Sequence, residues 1–517
     1  MIYTDKILDF IKTKYHYVVV LTFSMILGVT FFFSCDDYIW YFVYDYDKLA
    51  SYRSPNGRYI SNFLIRKCVN YPFLFLILFL VSFILLIYIV SKLNNIKKNY
   101  IINSTFIVVA LLLLLPHTTF KEVFRWMSGY INYGLGLGFT LLYLNSAFRL
   151  IFDKCKPSFF NFPLFFIFGI FNCLFVEHLT IYNILFSLFI VLFLIFKERC
   201  VSIHHISYFL GAIFAAIIMF SNNVYSSIRR NEDTLAPRAI ELDFSDVYSN
   251  IYRFLISHFA KDYTVVHLIL VASFSILYYK KKMSASSKYS LVTLLYCLGY
   301  LTYSFFSSFF TDIAMISPSL KGRAIETAIT FIYLCCIIYN ILIYFNGNIR
   351  IKCFIYLFST IICTAPFAVV SPITPRCFFV EYFFWILLCT YIWFNSVCMF
   401  APDFYKLYNK FTLTISMVLV IFVSNICITN FYYNNLRFDF IAQQISSGEK
   451  NIKLIVLPYD DYAYDDFNES STFSETLDNN VSYGELIFMY YNVPKELYDT
   501  LNFSKIGVID YYEVYSE

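Results

Sequence analysis

The sequence predicts an all-α polytopic membrane protein, with about 13 transmembrane helices, exterior interfacial helices and a small exterior C-terminal α/β appendage. Apolar residues make up 59% and charged residues 14% of the 517-residue chain, and the mean hydropathy is +0.63. Soluble proteins carry about 25% charged residues. Apolar segments of about 17–25 residues, the length that crosses a bilayer as a helix, recur along the chain. These observations exclude a soluble enzyme and a disordered chain.

The predicted spans follow one another with short polar loops between them. In chain order they are 16–34, 72–91, 100–116, 134–152, 162–176, 179–196, 203–220, 264–280, 289–310, 323–345, 353–371, 378–398 and 413–430. Some are short, and a single bent hairpin is the alternative for the pair 162–176 and 179–196. The predicted domains are therefore a cytoplasmic N-terminus (1–15), a transmembrane domain (16–430) and an exterior C-terminal domain (431–517).

Charge predicts the orientation, because short cytoplasmic loops of membrane proteins are rich in lysine and arginine. The N-terminus and every second loop together hold 19 basic and 5 acidic residues, against 20 basic and 30 acidic residues in the rest of the chain. We therefore expect a multi-pass protein of the plasma or inner membrane with a cytoplasmic N-terminus and an exterior C-terminus. The long exterior loops are then 35–71, 117–133 and 221–262.

Two acids open the first exterior loop. Asp36 and Asp37 directly follow the first span, and a carboxylate in such a place suits a base that accepts a proton from a hydroxyl group. Neighbouring side chains on a helix point about 100° apart, so we expect one of the two to face a substrate and the other to cap or position a helix. The alternative is that both acids only cap the segment after the first span.

Arginines from three other exterior segments are candidate phosphate ligands. Arg238, Arg323 and Arg376 are permanently charged and can bind phosphate with two hydrogen bonds. The candidate contacts to a sugar or an acceptor are Arg58, Trp126, Asn132, Glu177 and His178. An aromatic belt anchor is the alternative for the segment around Trp126, and a short polar turn is the alternative for Glu177 and His178.

The order of these features resembles that of the C-type glycosyltransferase superfamily of polytopic, polyprenyl-phosphate-sugar-dependent enzymes. More narrowly, the chain resembles a bacterial membrane-protein family of uncharacterised activity that is related to serotype-converting glucosyltransferases. The resembling segments are Asp36-Asp37-Tyr38, Asn56-Gly57-Arg58-Tyr59-Ile60-Ser61, Trp126 to Tyr133, Glu177-His178, Asn231 to Arg238 and Pro375-Arg376. The resemblance implies Asp36 or Asp37 as the base and the exterior arginines as phosphate ligands.

The expected function is the transfer of a sugar from a polyprenyl-phosphate donor to a cell-surface glycan or lipid acceptor, as in cell-wall or polysaccharide biosynthesis. The expected partners are this donor, this acceptor and the lipid bilayer, with no nucleic acid. We expect no cofactor and no metal, because the sequence has no Cys/His metal spacing, although some superfamily members use a divalent metal. The alternatives are a surface-polysaccharide polymerase and a lipid-linked sugar flippase or transporter. Transporters usually need polar groups at the bilayer midplane, and the predicted spans have few.

Overall fold

The computed structural model describes residues 2–34, 36–42, 56–97, 100–154, 161–199, 201–230, 239–282, 288–309, 320–400, 404–465, 483–490 and 502–506. The structural statements below concern these residues. Helices form most of this part of the chain. Long apolar runs favour helices in a bilayer because a helix satisfies its own backbone hydrogen bonds where no water is present.

The first ten helices carry most of the candidate site. They are α1 (Ile2–Val29), α2 (Asp37–Phe42), α3 (Tyr59–Asn70), α4 (Pro72–Leu93), α5 (Ile101–Leu113), α6 (His117–Phe124), α7 (Met127–Ile151), α8 (Phe162–Asn172), α9 (Glu177–Phe196) and α10 (Ile203–Phe220). Helix α7 includes a π-helical turn at Tyr130–Leu135. Such turns occur mostly as single insertions in α-helices, frequently at functional sites.

The second half of the chain adds nine helices and four short strands. The helices are α11 (Asn223–Arg229), α12 (Phe244–Asp262, with a π-helical part), α13 (Thr264–Lys282), α14 (Lys288–Phe309), α15 (Leu320–Tyr344), α16 (Gly347–Thr364), α17 (Phe379–Phe400), α18 (Phe404–Ser446) and α19 (Tyr483–Tyr490). The strands are β1 (Ala239–Ile240), β2 (Val370–Ser371), β3 (Asn451–Ile455) and β4 (Asn502–Ile506). Strands β1 and β2 pair antiparallel, and β3 and β4 pair parallel.

By length and composition, the described residues contain 9 helices that can cross a membrane, or up to 11 if two bent helix pairs each form one span. Two shorter apolar helices, Tyr15–Val29 and Phe162–Asn172, overlap two further predicted spans. Helix α8 has 11 residues and is therefore about 16 Å long, roughly half of the hydrocarbon thickness. The chain has the architecture of an α-helical, multi-pass membrane protein.

Helix α17 lies at the centre of the bundle. Over the 18-residue apolar stretch within Pro375–Cys398, 94% of the residues are buried inside the protein. Helices α13 and α16 pack along it. A 3₁₀ turn at Pro375–Phe378 leads directly into α17, so Arg376 directly precedes the most buried of the candidate spans in the described part of the chain.

The last long helix does not end where the predicted span 413–430 ends. Helix α18 continues to Ser446 and has 43 residues, so the predicted C-terminal segment 431–517 begins inside it. Strands β3 and β4, which both lie within the predicted C-terminal segment 431–517, pair parallel. A buried ion pair between Arg437 Nη1 and Asp465 Oδ1, 2.7 Å long, ties α18 to the chain that follows β3.

Helix α4 runs from one end of the bundle to the other, and each end forms one face. Its 22 residues extend about 33 Å, close to the thickness of a bilayer core. Its first residue follows α3, and its last turn holds Lys92. We call the end that carries α2, α3 and α6 the site face, and the end that carries Lys92, Arg149 and Lys352 the basic face. Each face thus gathers loops that the charge pattern assigns to one side of the membrane.

Candidate functional site

A partly enclosed cavity at the site face contains most of the candidate site residues. Its volume is about 90 Å³, counted as the space open to the centre of a water molecule. On that measure, one water molecule needs about 10–15 Å³, so the cavity accommodates a group larger than water. It is lined by Asp36, Trp40, Asn56, Arg58, Asn62, Ile65, Trp126, Asn132, Tyr133 and Arg376. We call it the acid cavity, because Asp36 is the one acid among the described residues that line it.

Two indole groups hold the carboxylate of Asp36. Trp40 Nε1 donates to Oδ2 at 3.1 Å, and Trp126 Nε1 donates to Oδ1 at 3.2 Å. Burial raises the pKa of Asp36 above the usual value for an aspartate, and these hydrogen bonds and the charge of Arg376 oppose the rise. A carboxylate that is oriented by two donors and has a raised pKa is a stronger base than a solvated one.

Asp37 is fully buried and does not belong to the described lining of the cavity. Its Oδ1 accepts hydrogen bonds from the backbone N–H of Ser128 at 3.1 Å and from its hydroxyl at 2.6 Å. Its Oδ2 accepts a hydrogen bond from the backbone N–H of Ser34 at 3.3 Å. Burial and the neighbouring charge of Asp36 raise the pKa of Asp37 well above its usual range. Asp37 therefore joins the start of α2 to the start of α7, while Asp36 faces the cavity.

Arg125 fixes the end of α1 and so the position of both acids. Its guanidinium is buried and donates to the carbonyl oxygen of Leu27 at 3.1 Å and to that of Thr30 at 2.5 Å. The last carbonyl groups of a helix have no partner within the helix, and Arg125 supplies donors to this end of α1. The segment that joins α1 to Asp36 is thereby anchored to the residues that follow α6.

Arg376 reaches the cavity from the start of α17. Its guanidinium lies over the ring of Trp126, 4.7 Å from the ring centre. Glu122 Oε2 on α6 accepts hydrogen bonds from the Arg376 backbone N–H at 3.0 Å and from Nη1 at 3.3 Å. Glu122 thus orients the arginine while the indole of Trp126 lies between its charge and Asp36.

Arg58 forms a second cationic wall, paired with an acid from α9. Its Nη2 lies 2.8 Å from Glu177 Oε2, and Tyr225 donates to Glu177 Oε1 at 2.7 Å. Gly57 allows this segment to approach α10, because a Cβ atom there would lie 2.3 Å from the carbonyl oxygen of Met219. Glu177 therefore acts in the described structure as the partner of Arg58 and is not among the described cavity residues.

Asn132 presents a buried oxygen without a partner. Its Nδ2 donates to the Ser128 carbonyl at 2.7 Å, whereas its Oδ1 has no hydrogen-bond partner in the described structure. Tyr133, the next lining residue, stacks on His178 with ring centres 5.6 Å apart. His178 is buried behind this ring and is not among the described cavity residues. Among the predicted sugar contacts, Arg58, Trp126 and Asn132 line the cavity.

The other two predicted phosphate ligands do not join this group. Arg323 on α15 lies over the ring of Tyr252, 5.5 Å from its centre, and is not among the described cavity residues. Arg323 lies near the start of α15, after α14, and packs against α12. It is therefore in another part of the bundle. Arg238 lies outside the residues that the structure describes. Of the three predicted arginines, Arg376 is the one that the described cavity contains.

Helical spacing would have identified two lining residues that were not predicted. Trp40 follows Asp36 by four residues, and Asn62 follows Arg58 by four residues, so each pair shares one helical face. Asn62 Nδ2 donates to Asn56 Oδ1 at 3.1 Å. Ile65 continues the face that holds Arg58 and Asn62. The role of Glu122 had no such signal, because its partner is 254 residues away in the sequence.

A larger, open and mostly apolar groove of about 1020 Å³ lies at the same face. Its apolar lining residues are Leu114, Leu115, Pro116, Val265, Leu268, Leu301 and Phe305, and its polar ones include His117, Lys261 and Asp262. The groove reaches His117 at the start of α6, and the partner of Arg376 is Glu122 in the second half of that helix. The acid cavity and the groove are thus connected through one helix of eight residues.

Comparison of the chain with protein-family models, with curated proteins and with solved structures finds no match. Among the described residues, no group of three or more His, Cys, Asp or Glu side chains is arranged to hold a metal ion. The functional argument therefore depends on the geometry of the acid cavity and the apolar groove.

Proposed function

We propose that this protein is an integral-membrane glycosyltransferase, which moves a sugar from a polyprenyl-phosphate donor to a cell-surface glycan or lipid acceptor. The observation that carries the proposal is the acid cavity itself. One carboxylate, Asp36, and one partly buried arginine, Arg376, line the same cavity at the site face, and both contact the indole of Trp126. Such a pair supplies the two functions that this transfer needs, a base for the acceptor and a cation for the leaving phosphate.

Asp36 is the proposed base. An acceptor hydroxyl in the cavity attacks the anomeric carbon of the donor sugar, and its proton passes to a carboxylate oxygen of Asp36. The indole groups of Trp40 and Trp126 keep this carboxylate oriented before the acceptor arrives. A positioned base of this kind contributes about 10²–10⁴-fold to a rate.

Arg376 is the proposed ligand of the leaving phosphate. The bond between the anomeric carbon and the phosphate oxygen breaks with its electron pair on the oxygen, so negative charge grows on the polyprenyl phosphate. Arg376 is held by Glu122 and by the ring of Trp126 and needs little movement to meet that charge. Preorganised cations act most strongly where water is excluded. Asn132 Oδ1, which has no partner in the described structure, is a suitable acceptor for a sugar hydroxyl.

The apolar groove suits the polyprenyl chain of the donor. Its lining combines apolar side chains of α13, α14 and the residues that follow α5 with the polar groups of Lys261, His117, Asp262 and Asp461. An isoprenoid placed there would keep its chain beside the bilayer and its phosphate at the membrane surface. The proposal includes the finer architecture that the sequence predicts, with 13 spans, a cytoplasmic N-terminus and an exterior C-terminal domain.

The test is glycan linkage analysis of cells that lack this protein, complemented with the wild type or with Asp36→Asn. Asp439→Asn, a change at an exposed position of α18, is the matched control for loss of one carboxylate. The abundance of each variant in the membrane is measured in parallel. We expect Asp36→Asn to be present at the normal level and to lack one sugar linkage, which Asp439→Asn restores.

Other results would identify the alternatives. Shorter glycan chains with all linkages retained would indicate a polymerase. Full restoration of the wild-type glycan by Asp36→Asn would contradict a catalytic role for this acid, and a transport assay with a lipid-linked sugar would then test the flippase.

A further inference from the structure

A second cavity, of about 560 Å³, lies at the basic face. It is lined by Leu85, Tyr88, Ile89, Lys92, Asn95, Leu142, Asn145, Phe148, Arg149, Asp153 and Lys352. Lys92 lies at the end of α4, whereas Asn62 and Ile65 of the acid cavity lie on α3, which leads into the start of α4, so the two cavities lie towards opposite ends of that helix. The proposed transfer does not use this second cavity.

A buried lysine forms one wall of the cavity. Lys352 is 3% exposed, and its Nζ donates to the Leu93 carbonyl oxygen at 3.0 Å. The same Nζ lies 5.2 Å from the ring centre of Phe148 and 4.8 Å from that of Phe152. An ammonium group has three donors, and a buried charge is costly unless it is paired and hydrogen-bonded. An anion in the cavity would reduce that cost.

The remaining charges of the cavity are also mainly positive. Lys92 and Arg149 are exposed and line it from α4 and α7. Asp153 is the one acid among the described residues that line it. Glu198, a neighbouring acid at the end of α9, forms an ion pair with Lys154. The described lining thus has three cations and one anion.

The cavity also continues along the apolar part of two helices. Leu85 and Ile89 lie on α4 before Lys92, and Leu142 lies on α7 before Arg149. Leu85 is seven residues from Lys92, which corresponds to about 10 Å along the helix. The cationic end therefore lies at the membrane surface and the apolar end lies deeper in the bilayer. Basic pockets between membrane helices bind anionic lipid headgroups in this way.

We propose that this cavity binds the phosphate headgroup of an anionic membrane lipid. Lys352 forms the floor, Lys92 and Arg149 contact the phosphate from the rim, and the first acyl carbons lie against Leu85, Ile89 and Leu142. The proposal is independent of the transferase activity, because all of its residues lie at the basic face.

The experiment measures ligand-induced stabilisation of the full-length protein in detergent. The probes are phosphatidylglycerol, phosphatidylcholine as the zwitterionic control, and inorganic phosphate. The double variant Lys92→Gln/Arg149→Gln removes both rim cations. The double variant Lys97→Gln/Lys197→Gln removes the same charge from exposed positions near the same face that do not line the cavity.

We expect phosphatidylglycerol to raise the melting temperature of the wild type in a saturable way, and phosphatidylcholine to have no such effect. The apparent affinity for phosphatidylglycerol should fall about 30-fold in the rim variant, roughly fivefold for each surface cation, and stay within about twofold in the control variant. Competition by inorganic phosphate would further support recognition of the phosphate group.

Two results would overturn the proposal. One is equal affinity of the rim variant and the wild type for phosphatidylglycerol. The other is stabilisation by inorganic phosphate without any stabilisation by phosphatidylglycerol, which would assign the cavity to a free anion. Neither result depends on glycan synthesis. A negative result would therefore reject lipid binding at this cavity without affecting the proposed transferase activity, which the glycan linkage analysis tests.

Discussion

The indole of Trp126 connects Asp36 to the cation beside it. Its Nε1 donates to Asp36 Oδ1 at 3.2 Å, while the guanidinium of Arg376 lies over its ring, 4.7 Å from the centre. One aromatic side chain therefore positions both the proposed base and the proposed phosphate ligand. Changes at Trp126 and at its two partners should affect the proposed reaction in distinguishable ways.

The first prediction concerns pH. Burial raises the pKa of Asp36 above 3.8, and a base acts only when it is deprotonated. Transfer should therefore decrease as the pH falls through this raised pKa, with its acid midpoint above pH 3.8. The check is the pH dependence of sugar transfer in membranes. An acid midpoint at or below the usual aspartate value would contradict the assignment of Asp36.

Trp126→Phe should leave the carboxylate of Asp36 less firmly oriented while it retains the ring under Arg376. The N–H donor that this change removes stabilises the charged form of Asp36. Its loss raises the pKa of Asp36, so the acid midpoint of transfer should move to higher pH. Misplacement of a reacting group by about 1 Å can cost about 10²-fold, so loss of this orienting bond should lower the rate near neutral pH at least about tenfold. Trp385→Phe removes a comparable 2.8 Å bond to Glu381 away from the described cavity residues, and it should leave the midpoint unchanged.

Arg376→Lys should raise the KM for the donor by about tenfold or more, because lysine lacks the planar pair of donors that binds phosphate. The matched control is Arg323→Lys, whose side chain packs on Tyr252. Donor titrations of both variants provide the measurement. An equal effect of the two changes would show that Arg376 has no special relation to the donor.

Asp37→Asn should reduce stability more than Asp36→Asn does. Asp37 is fully buried and accepts three hydrogen bonds, two from Ser128 on one oxygen and one from Ser34 on the other, so an amide nitrogen at either place leaves a buried donor unpaired. Asp36 accepts two hydrogen bonds and lines a cavity large enough for water. A buried donor left without a partner costs about 1–3 kcal/mol. Melting temperatures in detergent compare the two variants. A larger loss for Asp36→Asn would exchange the roles assigned to the two acids.

Asp465→Asn should destabilise the connection between α18 and the C-terminal strands. Its carboxylate pairs with Arg437 at 2.7 Å, and both side chains are buried. Removal of one charge from a buried pair typically costs about 3–5 kcal/mol. Asp439→Asn, at an exposed position two residues from Arg437 on the same helix, is the control and should melt like the wild type.

Hydropathy was sufficient to predict the α-helical, multi-pass membrane architecture. Long apolar runs form helices wherever they enter a bilayer, so the predicted spans overlap the observed helices. The end of α18 was not predictable in this way, because residues 431–446 mix apolar with polar and charged side chains and their helix is held by contacts such as the ion pair of Arg437 with Asp465. Helical spacing from Asp36 and Arg58 also contained the signal for Trp40 and Asn62.

The sequence alone determined the α-helical, multi-pass membrane architecture, since hydropathy carries that information, and its charge pattern predicted that acids and arginines share one face. Tertiary structure decided which of them meet. Asp36 lines the cavity and Asp37 does not, because the carboxylate of Asp37 accepts a hydrogen bond from Ser128, which is 91 residues away in the sequence. Arg376 joins Asp36 because Glu122 holds it across 254 residues, whereas Arg323 packs on Tyr252. Such long-range pairings depend on how the helices pack together, which no local pattern specifies.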